Sequence, residues 1–380
     1  MIKRHRFHPL QQILALARPL DLPLLLILSA LLAYGTMVMG SAAPDRLASQ
    51  VVFISLSLVG MWAVAFIPTR RLLSLAPAFY LVGVILLIGV ELFGTEAKGA
   101  KRWLDVGPIH RIQPSEIMKI AIPLVLAWFF QKREHAISWG AFLVAGLLLV
   151  MPVFLIAKQP DLGTAILVCS SGAFVIFFAG LSWKLIIPVA LVGVVLVGSI
   201  SVFGEDWCQP GKKWPVLKEY QVARICTLLD PSRDPKGKGF HTIQSTIAIG
   251  SGGFAGKGWR QGTQTHLAFL PERHTDFVFA VLAEELGLVG VLALLGLYIA
   301  LLARGFMIAA VAPTLGGKLL ASSMTMVFFT YLFVNIGMVS GILPVVGVPL
   351  PFISYGGTAV VTLCLGIGIL MGVSRNKVER

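Results

Sequence analysis

The stretch LPERHTDFVFAVLAEELG, Leu270 to Gly287, marks where the longest polar segment of the chain runs back into an apolar run. It packs a Pro, an Arg, a His and four carboxylates into eighteen residues. One carboxylate, Asp276, falls near the head of what hydropathy reads as a membrane helix, with His274 two residues before it. A charge there is expensive unless it is paired or used. Paired with Arg273, Asp276 is an ordinary carboxylate at the positive end of a helix. At a partly desolvated mouth it is a candidate general base, and the chemical centre of the chain. Glu284 and Glu285 lie about two turns deeper, roughly 12–14 Å at the helical rise. They read as helix-packing or cavity-lining groups.

Outward from that stretch, the composition is that of a membrane protein. Of 380 residues, 57% are hydrophobic and 13% are charged, about half the charged share of a soluble domain. Ten apolar spans are expected, roughly 21–41, 47–67, 72–94, 114–131, 138–157, 161–181, 183–203, 276–303, 319–341 and 350–373. The expected fold class is therefore an all-α polytopic integral membrane protein. It is one domain over 1–380, with a large extracytoplasmic loop, 204–275, between spans seven and eight. Met1 to Leu20 is basic and lacks a long apolar core, so the first span reads as uncleaved. The net charge of +13 suggests an acidic partner such as nucleic acid, but the cations follow topology instead. With the N-terminus inside, fourteen Lys and Arg fall on the cytoplasmic side and six in short outer loops. Both termini are then cytoplasmic, and the polar motifs share the outer face.

Five further motifs lie on that face. In KGAKRWLDVGPIHRIQ, the cations Lys98, Lys101, Arg102 and Arg111 surround Trp103. That set suits a phosphate or pyrophosphate headgroup, and equally an interfacial anchor. In QPSEIMK, Glu116 and Lys119 are three apart and share one helix side, as a structural bridge or as part of a polar cavity. In QPDLGT, Asp161 opens span six as a helix cap, and a second role toward the outer cavity is compatible with that. The Gly-rich KGKGFHTIQSTIAIGSGGFAGKGW lacks the strand and helix frame of a phosphate loop. Its glycines read as tight turns packed on the bundle, with a short amphipathic helix at Thr242–Ile249. GILPVVGVPLPFISYGG reads as a stiff loop before span ten, in which Ser354 and Tyr355 can hydrogen-bond a ligand or hold a turn. Cys208 and Cys226 share the outer loop, so a disulfide between them is open. No CxxC, HExxH or other metal-ligand spacing is present.

Together with LLDPSRDPKGKGFHTIQS, these motifs run in the order of the SEDS family (shape, elongation, division, sporulation), and the chain resembles its RodA branch over nearly its whole length. The resemblance implies a peptidoglycan glycosyltransferase of rod-shape maintenance and cell-wall elongation, in the bacterial plasma (inner) membrane. Its implied substrate is lipid II, polymerised on the extracytoplasmic face. The implied partners are a class B penicillin-binding protein transpeptidase, other elongation-complex membrane proteins and membrane lipid, with no nucleic acid. The family's essential carboxylate falls on Asp276, its functional Trp on Trp103, its Glu/Lys pair on Glu116 and Lys119, and its QPD carboxylate on Asp161. No cofactor is required by this reading, though a divalent cation (Mg or Mn) can share the stabilisation of a leaving pyrophosphate. The competing reading is a lipid II flippase or other transporter, since buried carboxylates also serve carriers. Against it, Glu116, Lys119, Asp161 and Asp276 gather toward one face instead of lining a path across.

Overall fold

The computed structural model describes residues 20–97, 100–105, 111–135, 137–209, 219–233, 238–266 and 272–375. Each expected span has its helix: α1 Leu22–Ala42, α2 Leu47–Ala65, α3 Thr69–Phe93, α4 Pro114–Gln131, α5 Trp139–Lys158, α6 Leu162–Phe178, α7 Trp183–Trp207, α10 Val278–Val311, α11 Leu315–Val339 and α12 Gly357–Arg375. Two more helices, α8 Glu219–Leu229 and α9 Lys238–Ser251, lie in the long polar segment. Among the described residues, seven helices are long and apolar enough to cross a membrane by length and composition. The chain is a multi-pass helical membrane protein.

The helix ends follow local chemistry. Asp21 caps α1 by accepting from Leu24 N at 3.1 Å, Asp161 caps α6 through Thr164 N at 3.2 Å, and Thr314 caps α11 through Gly317 N at 3.1 Å. Pro114 opens α4, where its missing N–H is no loss. The helices alternate in direction, and α4, α11 and α12 are buried on most sides. At the end away from the polar motifs, Arg304 of α10 grips Asp21 with two donors, at 2.9 and 2.6 Å, and Ser374 of α12 donates to the same carboxylate at 2.8 Å. Burial opposes the Asp21 charge, but these donors hold its carboxyl below the usual carboxylate range.

At the other end, the site end, three features go beyond the expected loops. The segment after α3 folds into a small antiparallel sheet of β1 Thr95–Ala97, β2 Ala100–Asp105 and β3 Arg111–Ile112, in that order. Cys208 and Cys226 are bonded, tying the end of α7 to α8. The expected amphipathic segment is part of α9, which packs on α10 and anchors to α11 through Ser245 Oγ donating to Val339 O at 2.8 Å.

The third feature is a break in α10. Gly287 has φ 63° and ψ −161°, which no helix contains. A helix would bond Leu288 N to Glu284 O and Val289 N to Glu285 O. Both bonds are open, and the segment 253–258 fills the gap. Leu288 N donates to Gly253 O at 3.0 Å and Val289 N to Phe254 O at 3.1 Å, while Glu284 O accepts from Lys257 N at 3.0 Å and Glu285 O from Gly258 N at 2.9 Å. All four groups freed by the break are thus satisfied, as an apolar environment demands. The Gly-rich segment does pack by tight turns on the bundle, and Gly256, at φ 79°, lies against Glu285 O. Glu284 is fully buried and closes the joint, accepting from Lys257 Nζ at 2.7 Å, Thr263 Oγ1 at 3.0 Å and Gln264 N at 3.1 Å. Glu285 accepts from Ser41 Oγ of α1 at 2.6 Å.

A side chain at position 287 would need a left-handed backbone and would meet Phe254 O and Gly256 N. Gly287→Ala should therefore lower stability by at least about 2 kcal/mol. Gly296→Ala, in the same helix with open space around it, should be neutral or stabilise by up to about 1 kcal/mol. Thermal unfolding of the purified chain in detergent measures both.

Candidate active site

Asp276 lies in the turn 272–277, just before the first residue of α10, and is half-buried. The turn is closed by Thr275 N and Phe277 N, which donate to Glu272 O at 3.1 and 3.2 Å. Opposite it stands the 340–356 loop. Gly347 of that loop has φ 76°, which favours glycine, and a Cβ there would sit in ordinary contact, 3.4 Å from Asp276 Oδ2, so the loop backbone runs beside the carboxylate. The same loop meets the QPDLG turn, where a Cβ on Gly163 would lie 2.8 Å from Val346 O. The two carboxylate motifs thus face one another across residues 346–348.

Asn335 of α11 joins the Asp276 turn to that loop. It is fully buried, and its Nδ2 donates to Asp276 O at 3.0 Å and to Val348 O at 2.7 Å. One turn earlier on α11, about 6 Å along the axis, Tyr331 Oη accepts from Lys119 Nζ at 2.6 Å. Lys119 is 3% exposed and donates also to Glu116 Oε1 at 2.5 Å, and Thr362 of α12 donates to the other Glu116 oxygen at 3.2 Å. The Glu116–Lys119 pair therefore serves as a bridge across α4, α11 and α12. It also borders a cleft lined by Ile120, Phe328, Tyr331 and Thr362.

Asp161 combines its cap with two more partners. Its Oδ2 accepts from Gln113 Nε2 at 2.9 Å, and Arg102 stands 3.8 Å from its Oδ1. Arg102 also donates to Pro160 O. Along β2 the side chains alternate. Arg102 and Leu104 point to the bundle, Leu104 toward Gly89 of α3, and Lys101 and Trp103 take the other face. The expected ring of cations around Trp103 is therefore divided. Arg102 is held by the QPD turn, Lys101 is exposed, Arg111 falls in β3 and Lys98 lies outside the described residues.

His274 sits against Tyr355, with ring centroids 5.9 Å apart, and its carbonyl accepts from Tyr355 N at 2.7 Å. Arg46 lies 5.4 Å over the Tyr355 ring. Burial, and then the charge of Arg46, lower the His274 pKa, which favours the neutral imidazole. Ser354 is buried, and its hydroxyl accepts from Leu350 N at 2.8 Å, which puts it to work holding its own loop. Asn335, Tyr331, Thr362 and Gln113 are the members that motif reading passed over. The signal for Asn335 was available: a lone amide in the apolar run YLFVNIGMV. Among the described residues, no group of three or more His, Cys, Asp or Glu comes together to hold a metal ion.

Comparison with known proteins accords with this geometry. A family model for FtsW, RodA and SpoVE, described as "Cell cycle protein", matches residues 10–379. The peptidoglycan glycosyltransferase MrdB of Escherichia coli K12 is 51% identical over 361 residues, 94% of each chain. The peptidoglycan glycosyltransferase RodA of Treponema pallidum is 32% identical, with 86% of this chain and 89% of that one covered. Among solved structures, the rod shape determining protein RodA of Thermus thermophilus matches with TM-score 0.67 and 31% identity, over 94% of this chain and 97% of that one. A chain from a structure described as "Structural coordination of polymerization and crosslinking by a peptidoglycan synthase complex" matches with TM-score 0.78 and 37% identity, over 95% and 99%.

The bridge predicts its own thermodynamics. Lys119→Met leaves Glu116 a partly buried carboxylate without its cation, and should cost about 2–4 kcal/mol in thermal unfolding. Adding Glu116→Gln to that variant should recover most of the loss, because the charge left behind is gone.

Proposed function

The chain belongs to the FtsW/RodA/SpoVE (SEDS) family, and from that membership we infer that it is a peptidoglycan glycosyltransferase whose base is Asp276. The observation that carries the reading is the place of Asp276, half-buried in the turn before α10 with the backbone of Gly347 running beside its carboxylate. A base must be reachable by a sugar hydroxyl and yet partly shielded from water.

In the proposed reaction, two molecules of lipid II meet at the site end. Asp276 accepts the proton of the acceptor's GlcNAc 4-hydroxyl. The oxygen attacks the anomeric carbon of the donor MurNAc from the face opposite the leaving group. The new C–O bond inverts that carbon, the old one breaks, and undecaprenyl pyrophosphate departs with the bonding pair. The leaving group is already a weak base, so it needs charge stabilisation more than a proton. Lys101 on the exposed face of β2 is placed to supply it, and Lys98 and Arg111 are further cations of the same stretch of sequence. Trp103 shares that face and offers its indole to the sugar or lipid. The Glu116–Lys119 bridge and the Asp161 cluster keep the helices beneath the site in register, and the prenyl tails lie in the surrounding lipid.

The site end is read as extracytoplasmic, in the bacterial plasma membrane with both termini inside. The Lys and Arg asymmetry supports this orientation. So does the Cys208–Cys226 disulfide at that end, since such bonds persist in oxidising compartments. The likeness to a chain of a peptidoglycan synthase complex supports a class B penicillin-binding protein as partner.

Purified full-length chain with Asp276→Asn should polymerise lipid II at least about 100-fold more slowly than wild type, while its thermal unfolding stays close to wild type. Polymerisation at the wild-type rate would sink the assignment. Lipid II translocation in liposomes without polymerisation would replace it with the transporter reading.

A further inference from the structure

We propose that Asn335 is a positioning residue for this reaction: it sets the distance between the Asp276 carboxylate and the loop wall that faces it. The inference rests on the reading of Asp276 as the base.

An amide in the middle of an apolar run carries a desolvation cost that only hydrogen bonds offset. Asn335 is fully buried, and both hydrogens of its Nδ2 are in use, one on Asp276 O and one on Val348 O. Two carbonyl acceptors leave no choice of amide orientation, since the Asn oxygen cannot face them. Its Oδ1 meets no donor among the described residues. The bonding capacity of Asn335 is therefore directed at two backbone positions that belong to different segments. One is the carbonyl of the base itself. The other lies one residue beyond Gly347, whose backbone runs beside the Asp276 carboxylate.

Neither segment is held in regular structure at this point. Residues 272–277 form a turn, and 344–350 form neither helix nor strand. The loop has other anchors, in Tyr298 Oη donating to Pro351 O and Leu350 N donating to Ser354 Oγ. Those anchors hold the loop to α10 and to itself, and Tyr355 N, donating to His274 O at 2.7 Å, ties its far end to the turn of the base. The Asn335 amide alone among these ties meets the backbone of Asp276 itself and holds it and the 346–348 stretch to a common point on α11. Losing it leaves the fold its apolar contacts and the Tyr355 tie but loosens Asp276 relative to the loop beside its carboxylate. A shift of about 1 Å in a reacting group costs about 100-fold in rate.

The test uses the full-length chain in detergent with lipid II as the probe. Asn335→Leu keeps the branched shape and removes both donors. The expected result is a kcat lower by about 10–100-fold, with KM within about threefold and a thermal midpoint near wild type. Combined with Asp276→Asn, it should add no further loss, because a residue acting through Asp276 has nothing left to position. A purely structural role would multiply the two losses. Should Asn335→Leu fail to fold, Asn335→Ser, with one donor for two carbonyls, is judged by the same two readings. The proposal is overturned if the folded variant keeps wild-type kcat, or if its loss multiplies with that of Asp276→Asn. An active Asp276→Asn is a different failure: it removes the base, and this inference with it. An inactive Asp276→Asn beside a fully active Asn335 variant removes the positioning role alone.

Discussion

The break in α10 at Gly287 and the segment that fills it make one joint on which the site depends. A helix opened inside an apolar bundle exposes two donors and two acceptors, and each is costly if unmet. Here the backbone of residues 253–258 meets all four. The exchange is stable only if the inserted segment stays in place, and Glu284 secures it from below through Lys257, Thr263 and Gln264. Opening the helix has a geometric result. The short helical piece Val278–Leu286 is no longer constrained to the axis of the longer piece that follows. Its head, with Asp276, is placed by the polar segment and by α11.

The remaining charges of the site end are neutralised in groups, each by a different pair of elements. Asp161 is satisfied by its own helix, by Gln113 and by Arg102. Glu116 is satisfied by Lys119 and Thr362, and Lys119 in turn by Tyr331. These groups hold α4, α6, α11 and α12 together where a purely apolar contact could slide. The bidentate Arg304–Asp21 pair does the same at the opposite end for α1, α10 and α12. With both ends clamped, the loop 340–356 can carry a site without regular structure of its own.

Much of this was legible in the chain. The apolar periods and their punctuation located the helices within a few residues, and Pro114 and Asp161 announced helix starts they do make. The tight Gly turns of the 250–258 segment and the α9 helix were also legible. The role of Arg102 was not. A row of Lys and Arg around Trp103 reads as one cationic surface, yet strand alternation sends Arg102 to the QPD turn and Lys101 to the opposite face. The break at Gly287 was equally hidden, because the apolar run resumes directly after the two glutamates of LAEELGLVG and a single Gly there does not announce a break.

The sequence by itself determined the membrane class, the helices and their caps, and which few ionisable residues an apolar bundle must accommodate. Hydropathy and capping act within one or two turns, so neighbours in the chain carry them. The tertiary structure alone decided which donors meet each of these carboxylates and brought the 340–356 loop beside Asp276. Those outcomes depend on partners 244 residues away for Glu285, 283 for Asp21 and 59 for the backbone of Asp276. A hydrogen bond is made by atoms about 3 Å apart, and only the packed bundle brings such distant residues within that reach.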